Sequence, residues 1–237
     1  MRLDIYLAKH FNIQSRNKAS ELIRDKKIKI DGKIITKSSF KIEDNMKIEI
    51  LEDQFFVSRS GKKLKYFLDE IKIELNGKTA LDIGSSTGGF TQLLLLNGIS
   101  QVTCVDVGSN QLHESIKNNA KVKLFQNTDI RDFRSNNSFD IVTVDVSFIS
   151  ILNILNDIDR LAKKDIIILF KPQYEVGSSV KRDKVGVVQD KQAIKVARQN
   201  FIIKTTALKW SMIEAKLSKI AGKEGNIEEF FYFQKGV

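Results

Sequence analysis

Ala80-Leu81-Asp82-Ile83-Gly84-Ser85-Ser86-Thr87-Gly88-Gly89-Phe90 is the stretch on which the fold turns. An apolar run ends in an acid and a glycine, a loop of small residues follows, and a second apolar run opens at Phe90. The pattern predicts a strand, a tight loop and the start of a helix. That arrangement holds a nucleotide-like ligand at the carboxyl end of a parallel strand. Glycines at 84, 88 and 89 let backbone come close to such a ligand. The loop lacks the G-x-G-x-x-G spacing of dinucleotide-binding folds. Gly89 is followed by Phe90, not by the Lys-Ser/Thr of a phosphate-cradling loop.

The next apolar run, Gln101 to Val105, ends in Asp106, about twenty residues further on, where an acid accepts hydrogen bonds from a ribose diol. A glycine loop and a ribose acid without a phosphate cradle imply an adenosyl ligand lacking phosphates, and S-adenosyl-L-methionine is the usual one. Outward from this point, apolar runs predict strands near 79–83, 101–105, 121–125, 140–144, 165–170, 211–217 and 228–234. Helical spacing predicts helices near 62–74, 89–97, 110–118, 150–162 and 190–208. The alternation implies an open α/β sheet, mostly parallel, with helices on both faces. The loop joining the last two strands is too short for a crossover, so these strands should be antiparallel, as in a methyltransferase fold.

The 237 residues suffice for a large domain with a small one beside it. With 42% hydrophobic and 29% charged residues the chain should fold and dissolve. Its net charge of +10 is unevenly spread: about +6 over residues 1–79, about −3 over 80–160 and about +7 over 161–237. A mildly acidic ligand core between basic flanks favours a polyanionic partner, nucleic acid before membrane. The one cysteine, Cys104, lies in an apolar run and reads as a small core residue, with no disulfide and no metal cluster. His10 and His113 are too few and too isolated for a zinc site. Met1-Arg2-Leu3-Asp4 does not open a signal peptide, and apolar runs such as Ile166 to Phe170 are far too short to span a bilayer. A cytoplasmic protein is expected, with no membrane association and with monomer or weak oligomer both open.

Residues 1–52 read as a separate small α+β module. Leu3, Tyr6 and Leu7 have helical spacing, Ser15 caps a second helix from Arg16 to Asp25, Ile28 to Ile34 forms a hairpin around Asp31-Gly32, and Met46 to Leu51 adds a last strand. Arg2-Leu3-Asp4-x-Tyr6-Leu7, Ser15-Arg16-x-x-Ala19-x-x-Leu22-Ile23 and the strand ending in Asp31-Gly32 resemble an S4 RNA-binding domain. The resemblance implies that Arg2, Arg16, Lys18, Arg24, Lys26 and Lys27 lie on an RNA backbone. Such phosphate contacts position a protein and carry little sequence information. Residues 53–58 read as a short linker without glycine or proline, hence a packed joint. Residues 59–237 form the second domain.

Two more acids and two lysines carry chemistry. Asp145 ends the apolar run from Phe139, on the sheet edge that holds the glycine loop and Asp106. Lys171 follows the run Asp165 to Phe170 at the same edge, with the only proline, Pro172, fixing the turn. Lys63 stands at the start of the helix before the first strand, and Glu228 opens the last strand. Separately, Asp145 could be a helix cap and Lys171 a surface lysine; their shared edge argues otherwise. Two lysines and two carboxylates suit chemistry at a hydroxyl. A ribose 2′-OH needs a general base, and a lysine serves once a second ammonium and desolvation lower its pKa.

The constellation resembles the Lys-Asp-Lys-Glu tetrad of FtsJ-like ribose 2′-O-methyltransferases. With the S4-like module in front, the chain is similar to the TlyA family of rRNA cytidine-2′-O-methyltransferases, whose members often carry the label hemolysin. The matching segments include Val57-Ser58-Arg59-x-Gly61-x-Lys63-Leu64, Asp145-x-Ser147-Phe148-Ile149-Ser150, Lys171-Pro172-Gln173-Tyr174-Glu175-Val176-Gly177 and Gly225-Asn226-x-Glu228. The family fold is a Rossmann-like methyltransferase domain with an antiparallel last strand. The resemblance implies catalytic Lys63, Asp145, Lys171 and Glu228, with Lys171 as the base. Lys62 competes for the first lysine position; Lys63 directly precedes the matching Leu64. For S-adenosyl-L-methionine it implies Gly84, Ser85, Ser86, Thr87, Gly88, Gly89, Phe90, Asp106, Val107, Asp129 and Asp145. Ribosomal RNA in its subunits is the implied partner. Arg59, Lys181 and Arg182, and a stripe of Lys191, Lys195 and Arg198, are further candidates for its phosphates. The loop from Gly177 to Gly186 is polar and basic and could close over RNA. A SAM-binding assembly factor without activity and a pore-forming hemolysin are the rival readings. The sequence shows no membrane span to support the latter.

Overall fold

The computed structural model describes residues 1–11, 13, 15–43, 45–51 and 56–236. The chain divides into two compact units, Met1–Phe55 and Phe56–Val237. The first holds helices α1 (Leu3–His10) and α2 (Arg16–Arg24) and strands β1 (Ile28–Ile30), β2 (Lys33–Ile34) and β3 (Ile48–Ile50), the strands antiparallel in the order β2-β1-β3. Ser15 caps α2 by accepting the Lys18 N–H at 3.2 Å. Asp31 and Gly32 both have positive φ, +48° and +78°, as a two-residue hairpin turn requires. Leu3, Leu7, Ala19, Leu22, Ile23 and Ile28 form the unit's core.

The second unit runs α3 (Arg59–Leu68), β4 (Thr79–Ile83), α4 (Gly89–Leu96), β5 (Gln101–Val105), α5 (Glu114–Lys117), β6 (Val122–Phe125), β7 (Phe139–Val144), α6 (Leu155–Leu161), β8 (Ala162–Phe170), α7 (Pro172–Glu175), α8 (Lys191–Ala207), β9 (Trp210–Leu217) and β10 (Glu229–Lys235). The seven strands lie in the order β6-β5-β4-β7-β8-β10-β9. Neighbours are parallel except β10, which is antiparallel to both β8 and β9. Successive strand residues face opposite sides, so each strand feeds two cores. Leu81, Val142, Ile168, Phe231 and Phe233 pack under α6 and α8. Ala80, Cys104, Ile141, Leu169 and Phe230 pack under α3 and α4. From β4 the chain winds outward through β5 and β6, then returns to β7 on the other side of β4. That reversal opens a crevice at the carboxyl ends of β4 and β7, where ligands of such sheets bind.

Three helices differ from expectation. The helix expected over 62–74 begins earlier and ends at Leu68, because Ile71, Ile73 and Leu75 alternate with exposed Glu70, Lys72 and Glu74 in an extended segment. Lys63 is therefore inside α3, not at its start. The helix expected over 110–118 shrinks to one turn capped by His113. The helix expected over 150–162 splits into a 3-10 turn (Ile151–Asn153) and α6, and β8 begins at Ala162. Of the linker expected over 53–58, residues 53–55 lie outside the described residues. Phe56 and Val57 are buried in the second unit, the Val57 N–H donating to Gln92 Oε1 at 2.9 Å.

Candidate active site

The loop after β4 is bent by Gly84 at φ +79°, where a Cβ would stand 2.8 Å from the Asp145 carbonyl oxygen. Only glycine allows β4 and β7 to end this close together. Asp106 ends β5 and ties the loop down: its Oδ2 accepts the Ser86 N–H and its Oδ1 the Gly108 N–H, each at 2.7 Å. Each oxygen keeps a further acceptor position for a ribose hydroxyl. A cavity of about 290 Å3 opens beside it, lined by Ile83, Val105, Ile130, Val146, Ile149 and Ile154 with Asp106, Val107, Asp129 and Asp145. An apolar slot with acids at its side fits an adenosine. The buried Ser85 Oγ has no hydrogen-bond partner among the described residues. Together they are what an adenosyl ligand with a polar tail would need. Gly88 and Gly89 lie at the start of α4, and Thr87 and Phe90 line the next cavity. Arg131 holds the Asp129 carboxyl below the usual carboxylate range through a 2.7 Å pair.

Lys171 and Asp145 meet at the ends of β8 and β7. Lys171 Nζ is 2.7 Å from Asp145 Oδ1 in an ion pair that is out of line for a hydrogen bond, and it donates to Ser147 Oγ at 3.0 Å. Lys63 is carried by α3, whose Leu64 and Phe67 pack on the sheet, Phe67 stacking on Phe230 at 4.7 Å. Gly61 lets α3 approach α4: a Cβ there would come within 2.9 Å of the Gly89 carbonyl oxygen. In that position Lys63 Nζ donates to Glu228 Oε2 at 2.6 Å, and both side chains are buried. Lys63 and Lys171 both line two adjoining cavities of about 390 and 500 Å3. Asp145 and Ser147 line these two and the adenosyl slot as well. The four residues thus surround one space that communicates with the ligand slot.

Behind the glycine loop, burial pushes the Asp82 carboxyl up to about 6, although Thr91 and Thr143 each donate a hydroxyl to it. Burial likewise pushes the Cys104 thiol up to about 12, an inert core thiol.

The basic candidates divide. Arg2 and Arg16 both pair with the buried Asp4. Lys18 is buried and paired with Glu21. Arg59 donates to the Ala221 carbonyl oxygen. Arg182 donates to the carbonyl oxygens of Gln173, Gly177, Ser178 and Val180, so it organises its own loop. Arg198 makes a two-pronged pair with Glu229 and lies over the Phe231 ring. Arg24, Lys26, Lys181, Lys191 and Lys195 are exposed, Lys27 half so. Sequence reasoning missed the role of Phe148. It is 91% exposed, has a left-handed backbone at φ +66°, lines both the ligand slot and the cavity of about 500 Å3, and packs 5.4 Å from Tyr174. It also missed the role of Glu175, whose carboxylate accepts the Ser150 hydroxyl at 2.6 Å and the Ile151 N–H at 2.9 Å, and which burial pushes upward.

A sheet of this order, with one reversed strand beside its edge and a glycine loop and acid at the switch point, is the Rossmann-like fold of S-adenosylmethionine-dependent methyltransferases. The FtsJ-like methyltransferase model matches residues 56–235, and the S4 domain matches residues 1–48. A 23S rRNA (cytidine-2′-O)-methyltransferase TlyA of Campylobacter jejuni is 46% identical over 99% of this chain and 100% of its own length. A 16S/23S rRNA (cytidine-2′-O)-methyltransferase TlyA of Mycobacterium tuberculosis is 34% identical over 98% of this chain and 89% of its own. The crystal structure of a Lactococcus lactis protein described as a hemolysin matches with a TM-score of 0.72 at 34% identity, over 76% of this chain and 89% of that one. The chain belongs to the TlyA family, an S4 domain followed by an FtsJ-like methyltransferase.

Proposed function

We propose that the protein transfers a methyl group from S-adenosyl-L-methionine to the 2′-OH of a cytidine in ribosomal RNA. One observation carries the reading: the Lys171–Asp145 ion pair stands where the ligand slot opens into the larger cavities. The cofactor supplies an electrophilic methyl on a positively charged sulfur. Gly84 to Phe90, Asp106, Val107 and Asp129 hold it. Lys171 Nζ, in its neutral amine form, takes the proton of the 2′-OH as its oxygen attacks in line, and becomes the ammonium that pairs with Asp145. Asp145 orients Lys171, and Glu228 fixes Lys63 so that its charge faces the same space. Holding the hydroxyl and the methyl in attack geometry supplies much of the acceleration. Phe148, exposed on a strained backbone, offers a face on which a flipped base can stack.

Residues 1–52 act as the S4 domain that docks on rRNA structure, 53–58 as a linker and 59–237 as the catalytic domain. The partner is a ribosomal subunit, in the cytoplasm. No helix of the described residues is long and apolar enough to cross a membrane. The test is transfer of a labelled methyl to separated ribosomal subunits from a strain lacking this gene. Label in RNA from the wild type, and none from Lys171→Ala, supports the reading. The Campylobacter jejuni relative makes the large subunit the first substrate to try. No label on either subunit, from protein shown to bind the cofactor, would move the assignment to a SAM-binding assembly factor.

A further inference from the structure

We propose that Ser147 is a positioning residue for Lys171: its hydroxyl supplies a directional bond that sets how the lysine nitrogen, drawn in by the Asp145 carboxylate, meets the methyl-accepting hydroxyl. The inference rests on Lys171 being the base. The nitrogen is tetrahedral. One position is its bond to Cε, and the hydrogen bond to Ser147 Oγ at 3.0 Å fixes a second. Asp145 Oδ1, 2.7 Å away and out of line for a hydrogen bond, attracts the charge without fixing a direction. With the Ser147 bond made, the directions of the remaining positions are set for the acceptor. An ammonium on a four-carbon stem rotates freely about a single partner. The hydrogen bond to Ser147, added to the Asp145 ion pair, stops that rotation.

The place of Ser147 in the fold supports this. With Asp145 it lines all three adjoining cavities, so it stands where the ligand slot meets the acceptor space. It is exposed, so a core-packing role does not explain it. The loop that carries it is held at both ends. Its start follows β7, and its far end is fixed by Glu175 through Ser150 and Ile151. Glu175 belongs to α7, the turn of helix that begins directly after Lys171. The loop and the lysine are therefore joined twice, once through Ser147 and once through Glu175. Phe148, the next residue, holds φ +66°, a conformation that a bulky side chain keeps only where its surroundings impose it.

The test is steady-state methyl transfer by wild type, Ser147→Ala, Ser147→Thr and Lys171→Ala on the ribosomal acceptor. Ser147→Ala should lower kcat about 10- to 100-fold, with the KM values for cofactor and acceptor within about twofold of wild type. Ser147→Thr keeps the hydroxyl and should return kcat to within about threefold. A loss confined to KM, a loss that threonine does not restore, or an unchanged kcat in Ser147→Ala would overturn the inference. If Lys171→Ala abolishes transfer while Ser147→Ala does not, this inference fails alone. If the wild type transfers nothing, the functional reading fails and takes this one with it.

Discussion

The Lys63–Glu228 pair lends itself to a double-mutant cycle. Its atoms are 2.6 Å apart, and the two side chains are 9% and 3% exposed. Removing one partner of a buried pair costs about 3–5 kcal/mol, because the other charge is left without compensation. Lys63 also lines two open cavities, so water relieves part of that cost. Glu228→Gln should therefore destabilise the second unit by about 2–3 kcal/mol, and Lys63→Met by a similar amount. The double variant, uncharged at both positions, should lie within about 1 kcal/mol of wild type. Urea unfolding followed by fluorescence reads this directly, because the single tryptophan, Trp210, is buried in the second unit. With a slope near 2 kcal/mol per molar, each single variant should unfold at about 1–1.5 M less urea. All three variants should be inactive, including the stable double. Single variants as stable as wild type, or a double as damaged as the two singles together, would refute the reasoning.

Two other outcomes are expected. Folding raises the Asp82 pKa to about 6, so the stability this residue contributes is complete below the unfolded pKa and is lost as pH rises through 6. The stability of wild type relative to Asp82→Asn should fall between pH 4 and 7 by on the order of 2–3 kcal/mol, read by the Trp210 unfolding signal; a difference that does not change with pH would contradict it. Replacing Lys26 and Lys27 together should weaken RNA binding and reduce the slope of log affinity against log salt by about 1–2, whereas Lys18→Met should leave that slope unchanged because Lys18 is buried against Glu21.

The sheet was legible because it follows from patterns of period two and from where apolar runs stop. Asp106, Asp145 and Lys171 each directly follow such a run, so their shared edge could be read without coordinates. The Lys63–Glu228 pair could not. Its residues are 165 apart in sequence, and only resemblance linked them. Their meeting depends on α3 lying against α4 through Gly61 and Gly89, a tertiary fact with no local signature. The sequence points past the end of α3 at Leu68 because Phe67 and Leu68 continue a helical pattern that the alternating Ile71, Ile73 and Leu75 then contradict. Phe148 was invisible as a strained residue, since a left-handed phenylalanine is imposed by its surroundings and not by its type.

The basic residues show why counting charges overstates an RNA surface, and why an ion pair does not always remove a residue from it. Lys18 and Arg198 turn their charge inward, toward Glu21 and Glu229, so their contribution is to the fold. Arg2 and Arg16 are different. Both hold the buried Asp4 and lower its carboxyl to about 2, yet their side chains remain 45% and 55% exposed. Arg16 gives Asp4 one N–H and Arg2 gives it two, of the five that a guanidinium carries. The remaining donors are held in a fixed direction at the surface. An arginine already ordered loses less conformational freedom on meeting a phosphate than a free lysine does. Asp4 thus fixes the aim of the proposed RNA contact as well as the start of α1. Because its pKa is lowered, that anchor is fully present above pH about 4 and is lost only as pH falls toward 2.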